Sequence, residues 1–123
     1  MSRHLVTFVV GAACILLAGC SADSTPHVQA AHQAPSAPDV MIQYGCSSCH
    51  VIPDVPGAVG KVGPSLDALR QRSYLAGVLP NTPENLQRWI MHPQQIRPGT
   101  AMPEMGVSQA NAQAIAAFLE TRR

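Results

Sequence analysis

The segment Cys46-Ser47-Ser48-Cys49-His50 constrains this chain more than any other stretch, because it is a C-x-x-C-H motif. Two thiols three positions apart can form thioethers with the two vinyl groups of one porphyrin. The adjacent histidine is then held on one face of the ring, where a neutral imidazole nitrogen can ligate iron. The motif therefore predicts one covalently attached haem c, with Cys46 and Cys49 as the attachment points and His50 as the proximal iron ligand.

Two other chemistries use a C-x-x-C pair. A thioredoxin-like redox site needs a βαβ context, which the sequence around the motif does not indicate. A zinc site needs two more Cys or His ligands. The chain has four cysteines, and the other two are accounted for near its N-terminus. The motif favours haem over both alternatives.

Residues 1–19 are predicted to be a lipoprotein signal peptide. A short positive start with Arg3 precedes an apolar run from Leu5 to Leu17, which is too short to span a bilayer comfortably. The sequence Leu-Ala-Gly directly before Cys20 resembles the lipobox of bacterial lipoproteins, so Cys20 is predicted to carry lipid. The alternative is an ordinary secretory signal with a chance cysteine at its boundary. Lipidation would anchor the chain on the periplasmic side of a bacterial membrane.

Residues 20–38 are predicted to be the lipidated cysteine and a flexible tether. The segment is rich in Ala, Pro, Ser and Gln and has no apolar period. His27 and His32 lie within it, and solvated spacer residues are favoured there over metal ligands. Residues 39–123 are predicted to form the haem domain.

Charge and cysteine content limit the classes of protein to which the chain can belong. The whole chain has 8 basic and 7 acidic residues, a balance that argues against nucleic-acid binding. Cys14 falls in the signal, so no thiol is left for a disulfide once lipid and haem are assigned. The aromatic content is only 4%, which suggests that a cofactor fills the core of so small a domain.

The domain is predicted to be all-α, because no segment alternates convincingly as a strand. A helix is expected after each of four capping residues, Asp39, Ser65, Thr82 and Ser108. Between His50 and Ser65, dense glycine and proline predict a loop without regular structure, suited to wrapping the lower edge of a haem.

A methionine or histidine opposite His50 would complete the iron coordination. The candidates are Met41, Met91, His92, Met102 and Met105. Met102 is favoured as the distal ligand, because Pro98 and Pro103 stiffen the loop around it and would limit reorganisation during electron transfer. A thioether ligand raises the reduction potential relative to a second histidine.

Residues 39–123 resemble a class I cytochrome c of the small bacterial mono-haem kind. The resemblance is carried by Cys46–His50, by Gly63-Pro64-Ser65-Leu66, by the block from Leu79 to Trp89, and by Pro98-Gly-Thr-Ala-Met102-Pro103. The middle block is similar to the cytochrome c domains fused to subunit II of haem–copper oxidases and to separate cytochromes found with terminal oxidases. The resemblance implies a small cytochrome c fold, with three to five short helices wrapped around one haem.

The resemblance also implies roles for single residues. The carbonyl of Pro64 would accept a hydrogen bond from the second nitrogen of His50 and fix its ring. Trp89 would lie near a haem propionate, with simple core packing as the alternative. Arg97 would either meet a propionate or remain solvated, and a solvated arginine is favoured.

The function predicted from these features is one-electron transfer without a small-molecule substrate. The leading hypothesis is a membrane-anchored carrier of a periplasmic respiratory chain, with a quinol-oxidising complex and a terminal oxidase as partners. The alternative is a permanently bound subunit through which electrons reach a terminal oxidase or dehydrogenase. A haem enzyme or gas sensor with a labile sixth ligand is a lesser alternative.

Overall fold

The computed structural model describes residues 34–122. The predicted signal peptide, Cys20 and residues 21–33 of the predicted tether lie outside the described residues. The helices are α1 (Ala37–Gln43), α2 (Cys46–Cys49), α3 (Pro83–Met91), α4 (Pro93–Ile96) and α5 (Gln109–Glu120), with a 3₁₀ turn at Leu69–Gln71 and two short strands, β1 (Tyr74–Leu75) and β2 (Leu79–Pro80). Within residues 34–122, no helix combines the length and the apolarity needed to cross a bilayer.

Helices α3 and α5 begin where the sequence predicts. The Thr82 hydroxyl accepts a hydrogen bond from the Asn85 amide at 3.2 Å, and Pro83 occupies the first turn. The Ser108 hydroxyl accepts from the Asn111 amide at 3.3 Å in the same way. Helix α3 ends at Met91, with His92 as its C-cap, because the residue before a proline disfavours helical backbone.

The N-terminal helix begins earlier than the sequence predicts. Ser36 is its N-cap, and its hydroxyl accepts a hydrogen bond from the Asp39 amide at 3.4 Å. The prediction of Asp39 as the cap is therefore wrong. Pro38 explains the difference. A proline has no amide proton, so it is well suited to the first turn of a helix, and here it belongs to α1 and not to the tether.

The core lies where α5 packs against both α1 and α3. Helix α5 presents an apolar stripe at helical spacing to this core, and its residues Ala112, Ile115, Ala116 and Leu119 are all buried. Two alanines in the stripe allow the neighbouring helices to approach closely. The hydroxyl of Tyr44, just after α1, accepts a hydrogen bond from Asn111 Nδ2 at 3.1 Å and ties this segment to α5.

The segment from Ser65 to Pro80 differs from the prediction. Ser65 does not start a helix, because its hydroxyl accepts from the Asp67 amide at 3.1 Å in a local turn. Only Leu69–Gln71 forms a 3₁₀ turn. The antiparallel pair of β1 and β2 follows, with Leu75 opposite Leu79, and was missed because two-residue strands cannot display alternation.

The predicted loop between His50 and Ser65 is confirmed as irregular, with one isolated antiparallel bridge between Val51 and Val59. Its apolar residues Ile52, Val55 and Ala58 are buried, so the loop forms part of the core. Arg122 pairs with Asp54 of this loop at 2.5 Å and lies over the Phe118 ring at 4.1 Å. The loop is thus fastened to the end of α5.

Replacing Ala116 with leucine should destabilise the fold, because Ala116 is only 1% exposed and three extra carbons have no space there. We expect the free energy of unfolding to fall by about 1–3 kcal/mol, measured by urea denaturation. Ala117→Leu is the matched control, since Ala117 is exposed on the same helix. Equal losses in the two variants would contradict this account of the helix packing.

Candidate functional site

A cavity of about 360 Å³ lies beside the core and contains the predicted site residues. Its walls come from the segments around α1 and α2, the end of the loop at residues 62–66, the 3₁₀ turn, strand β1, helix α3, the segment 100–105 and helix α5. Most of the lining side chains are apolar. The lining includes Cys46, Cys49, His50, Pro64, Trp89 and Met102. The sequence-predicted residues within the described range therefore converge on one cavity.

The imidazole of His50 is oriented by the backbone. Its Nδ1 lies 2.7 Å from the carbonyl oxygen of Pro64, the contact that the resemblance implies. A carbonyl can only accept a hydrogen bond, so Nδ1 must carry the proton. In the neutral ring Nε2 is then unprotonated and has a lone pair that can bind a metal.

Two glycines allow the loop to pass close to the C-x-x-C-H segment. A Cβ placed on Gly63 would lie 2.6 Å from Nδ1 and 2.8 Å from Nε2 of His50. A Cβ on Gly60 would lie 2.6 Å from the carbonyl carbon of Cys49. The Gly63 amide donates to the Cys49 carbonyl at 2.8 Å. The loop is thus stacked directly against both the helix α2 backbone and the His50 ring.

The thiols of Cys46 and Cys49 lie one helical turn apart, because these residues begin and end α2. Both are free cysteines, both are partly buried, and both line the cavity. Burial raises the pKa of the Cys46 thiol above its ordinary value. A thioredoxin-like site requires the opposite shift, since its nucleophile must be a thiolate. The direction of the pKa shift at Cys46 is therefore the opposite of the one that a thioredoxin-like nucleophile needs.

Of the candidate distal ligands, the cavity lining includes Met41, Met102 and Met105. Met41 is 1% exposed and belongs to the core. His92 lies instead in a second, more open surface cavity. Met91 is not among the described lining residues of either cavity. The structure thus brings Met102 and Met105 to the cavity of His50.

Two arginines lie at the cavity, and the sequence pointed to only one of them. Arg97 lines the cavity and donates from Nη1 to the Ala76 carbonyl at 2.6 Å, so it is held in place. Arg72 also lines the cavity and donates from Nη2 to the Ser65 carbonyl at 2.5 Å. Arg72 was missed because nothing in its local pattern distinguishes it from a solvated arginine. Trp89 is partly buried and packs against the core beside the same cavity.

Among residues 34–122, no three His, Cys, Asp or Glu side chains come close enough together to hold a metal ion between them.

Three known proteins are similar to this chain, and each is called cytochrome c oxidase subunit 2. The protein of Alkalihalophilus pseudofirmus is 32% identical over 83 residues, which are 67% of this chain and 23% of the relative. That of Bacillus subtilis is 30% identical over 76 residues, or 57% of this chain and 21% of the relative. That of Bacillus sp. strain PS3 is 29% identical over 66 residues, or 52% and 18%.

The similarity covers most of this chain but only a part of each relative. The chain spans less than a quarter of the length of the relatives that it matches. No family model matches the chain. No solved structure matches it either. The comparisons thus support the resemblance to oxidase subunit 2. They provide no support for membership of the class I mono-haem family.

Gly63→Ala should disturb His50, because the new methyl group would occupy the space of the imidazole ring. We expect the free energy of unfolding to fall by about 1–3 kcal/mol through overpacking, and the ring resonances of His50 to shift in NMR spectra. Lys61→Ala is the control, since Lys61 is exposed in the same loop. His50 resonances that do not move in Gly63→Ala would contradict the close packing of glycine and ring.

Proposed function

We propose that this chain binds one covalent haem c and transfers single electrons in association with a haem–copper terminal oxidase. Cys46 and Cys49 would hold the porphyrin, and His50 and Met102 would ligate the iron. The observation that carries the proposal is the His50 ring, whose Nδ1 is bound by the Pro64 carbonyl in an apolar cavity that two thiols also line. The fold proposed with it is the small cytochrome c fold. The sequence predicts this fold as all-α, and the short β1–β2 pair departs from that prediction.

The residues of the cavity fit this cofactor. Its lining is mostly apolar, as a porphyrin face requires, and its volume of about 360 Å³ is in the range of small-molecule sites. Two free cysteines that begin and end one helical turn would supply the two thioether bonds to the vinyl groups of one porphyrin. The Pro64 carbonyl keeps Nε2 of His50 available as an electron-pair donor.

When bound, haem c supplies one-electron chemistry at its iron. The chain's own part would be to hold the two iron ligands in place. His50 is held by a 2.7 Å hydrogen bond and by close packing on Gly63, so its ring has little freedom to move. Met102 contributes a neutral, polarisable thioether, which raises the potential.

Two arginines of the cavity would bind the propionate groups of the haem. Arg72 and Arg97 both line it, and each is positioned by a hydrogen bond to a backbone carbonyl. Each guanidinium has further N–H groups with which to bind a propionate. Trp89 lines the same cavity and has an indole N–H that can donate to one.

Between the two electron-transfer roles, the comparisons favour a bound subunit over a free carrier. All three similar proteins are named as subunits of cytochrome c oxidase. A free carrier between a quinol-oxidising complex and an oxidase is the second candidate, supported by the tether predicted from the sequence of residues 20–38. In both cases the chain would not be an enzyme alone, and a lipid on Cys20 would keep it at the periplasmic side of the membrane.

Mild detergent extraction followed by affinity purification distinguishes these roles. A stoichiometric complex with a terminal oxidase is expected for a bound subunit. Recovery of the chain alone from membranes that retain active oxidase would favour the carrier. Rapid binding of carbon monoxide to the reduced protein would instead indicate an open iron site, as in a haem enzyme or gas sensor.

An optical spectrum of protein co-expressed with a haem-maturation system tests the cofactor directly. Sharp low-spin bands after reduction, together with a weak far-red band in the oxidised form, are expected for His–Met ligation. Low-spin bands without the far-red feature would contradict Met102 as the ligand. Protein without covalent haem would contradict the whole proposal.

Met102→Ala should leave the haem attached, because the thioethers do not depend on this residue. It should remove the far-red band, lower the reduction potential and allow rapid binding of exogenous ligands, because the thioether donor is lost. Met105→Ala is the matched control, since Met105 lines the same cavity only three positions away. If Met105→Ala had these effects and Met102→Ala did not, the assignment would pass to Met105.

A further inference from the structure

The side chain of Gln94 binds three backbone groups of the segment that carries Met102. Its Nε2 donates to the carbonyl oxygens of Thr100 at 2.8 Å and Met102 at 2.7 Å. Its Oε1 accepts from the Gly99 amide at 3.1 Å. The two donor hydrogens of the amide and one acceptor site are thus all used within one segment.

The segment has little other backbone support. Among the described residues, positions 98–107 make one backbone–backbone hydrogen bond, from the Thr100 amide to the Arg97 carbonyl at 3.1 Å. Irregular segments must satisfy their buried backbone groups by other partners. For Gly99, Thr100 and Met102 that partner is Gln94.

Gln94 itself lies on a helix that is anchored in the core. It follows Pro93, one of the most deeply buried residues, in the short helix α4. Its own amide donates to Glu104 Oε1 at 3.1 Å, so the segment also binds back to α4 from beyond Met102. Both sides of Met102 are therefore tied to the same helix.

We propose that Gln94 is the positioning residue that keeps the thioether of Met102 in the cavity, an inference that rests on the proposed role of Met102 as an iron ligand. Gln94 is not among the described residues that line the cavity. It acts through the backbone by reducing the freedom of residues 99–102. Without it, the methionine spends a larger fraction of time away from the iron.

The test measures how readily imidazole displaces methionine from the iron of the oxidised haem protein. The displacement is monitored through the loss of the far-red band. An exogenous ligand binds only the fraction of molecules in which methionine has left the iron, so its apparent Kd falls as that fraction grows. In Gln94→Ala we expect the half-saturating imidazole concentration to fall by about 10-fold or more, the effect of losing one to three net hydrogen bonds. Gln95→Ala is the matched control, because Gln95 is an exposed glutamine on the same helix.

A second measurement follows the segment independently of the iron. Amide hydrogen exchange at Gly99 should become faster in Gln94→Ala, because its acceptor is lost, and should be unchanged in Gln95→Ala. Gln94→Glu keeps the side-chain length and the acceptor oxygen but loses both N–H donors. The half-saturating imidazole concentration of this variant should therefore also fall. This variant decides the matter if the alanine variant does not fold.

The outcomes separate the two proposals. Absence of the far-red band from the unmodified haem protein would overturn Met102 ligation and the role of Gln94 together. A normal band in the unmodified protein, with imidazole competition equal in Gln94→Ala, Gln94→Glu and the control, would overturn only the role of Gln94. A loss of thermal stability with unchanged competition would likewise show a merely structural residue.

Discussion

The contact between the His50 ring and the segment Gly63-Pro64 is the interaction on which the rest of the site depends. The Pro64 carbonyl sets the proton on Nδ1, and Gly63 lets the backbone lie against the ring. These two residues end a long irregular loop that buries Ile52, Val55 and Ala58. Asp54 of the same loop is paired with Arg122 after α5. The orientation of one imidazole is thereby linked to the packing of the C-terminal helix.

The helices that support this site were predictable because their signals are local. Thr82-Pro83 and Ser108 each place a side-chain acceptor at a helix start, and the α5 stripe follows from its spacing. The cap at Ser36 was missed because Asp39, three residues later, gives a similar signal. The two-residue hairpin is too short for any periodicity to reveal it.

The site residues were predictable to the extent that they belong to a motif or a family pattern. Cys46, Cys49 and His50 lie within five consecutive residues, and their convergence on the cavity follows from the motif. Arg72 and Gln94 were missed for the same physical reason. Each acts through hydrogen bonds to backbone carbonyls five or more positions away, and such contacts leave no pattern in the sequence.

The near-neutral charge of the chain bears on how the protein would find the partner of its proposed electron transfer. With 8 basic and 7 acidic residues it has little of the net charge that steers a diffusing protein to an oppositely charged surface. Exposed Val59 and Val62, 73% and 70% accessible, instead give the loop next to the cavity an apolar character. Under the proposed function, encounter would then depend on proximity, from a membrane anchor or from permanent assembly. Both candidate roles supply that proximity, and the similarity to oxidase subunits favours assembly.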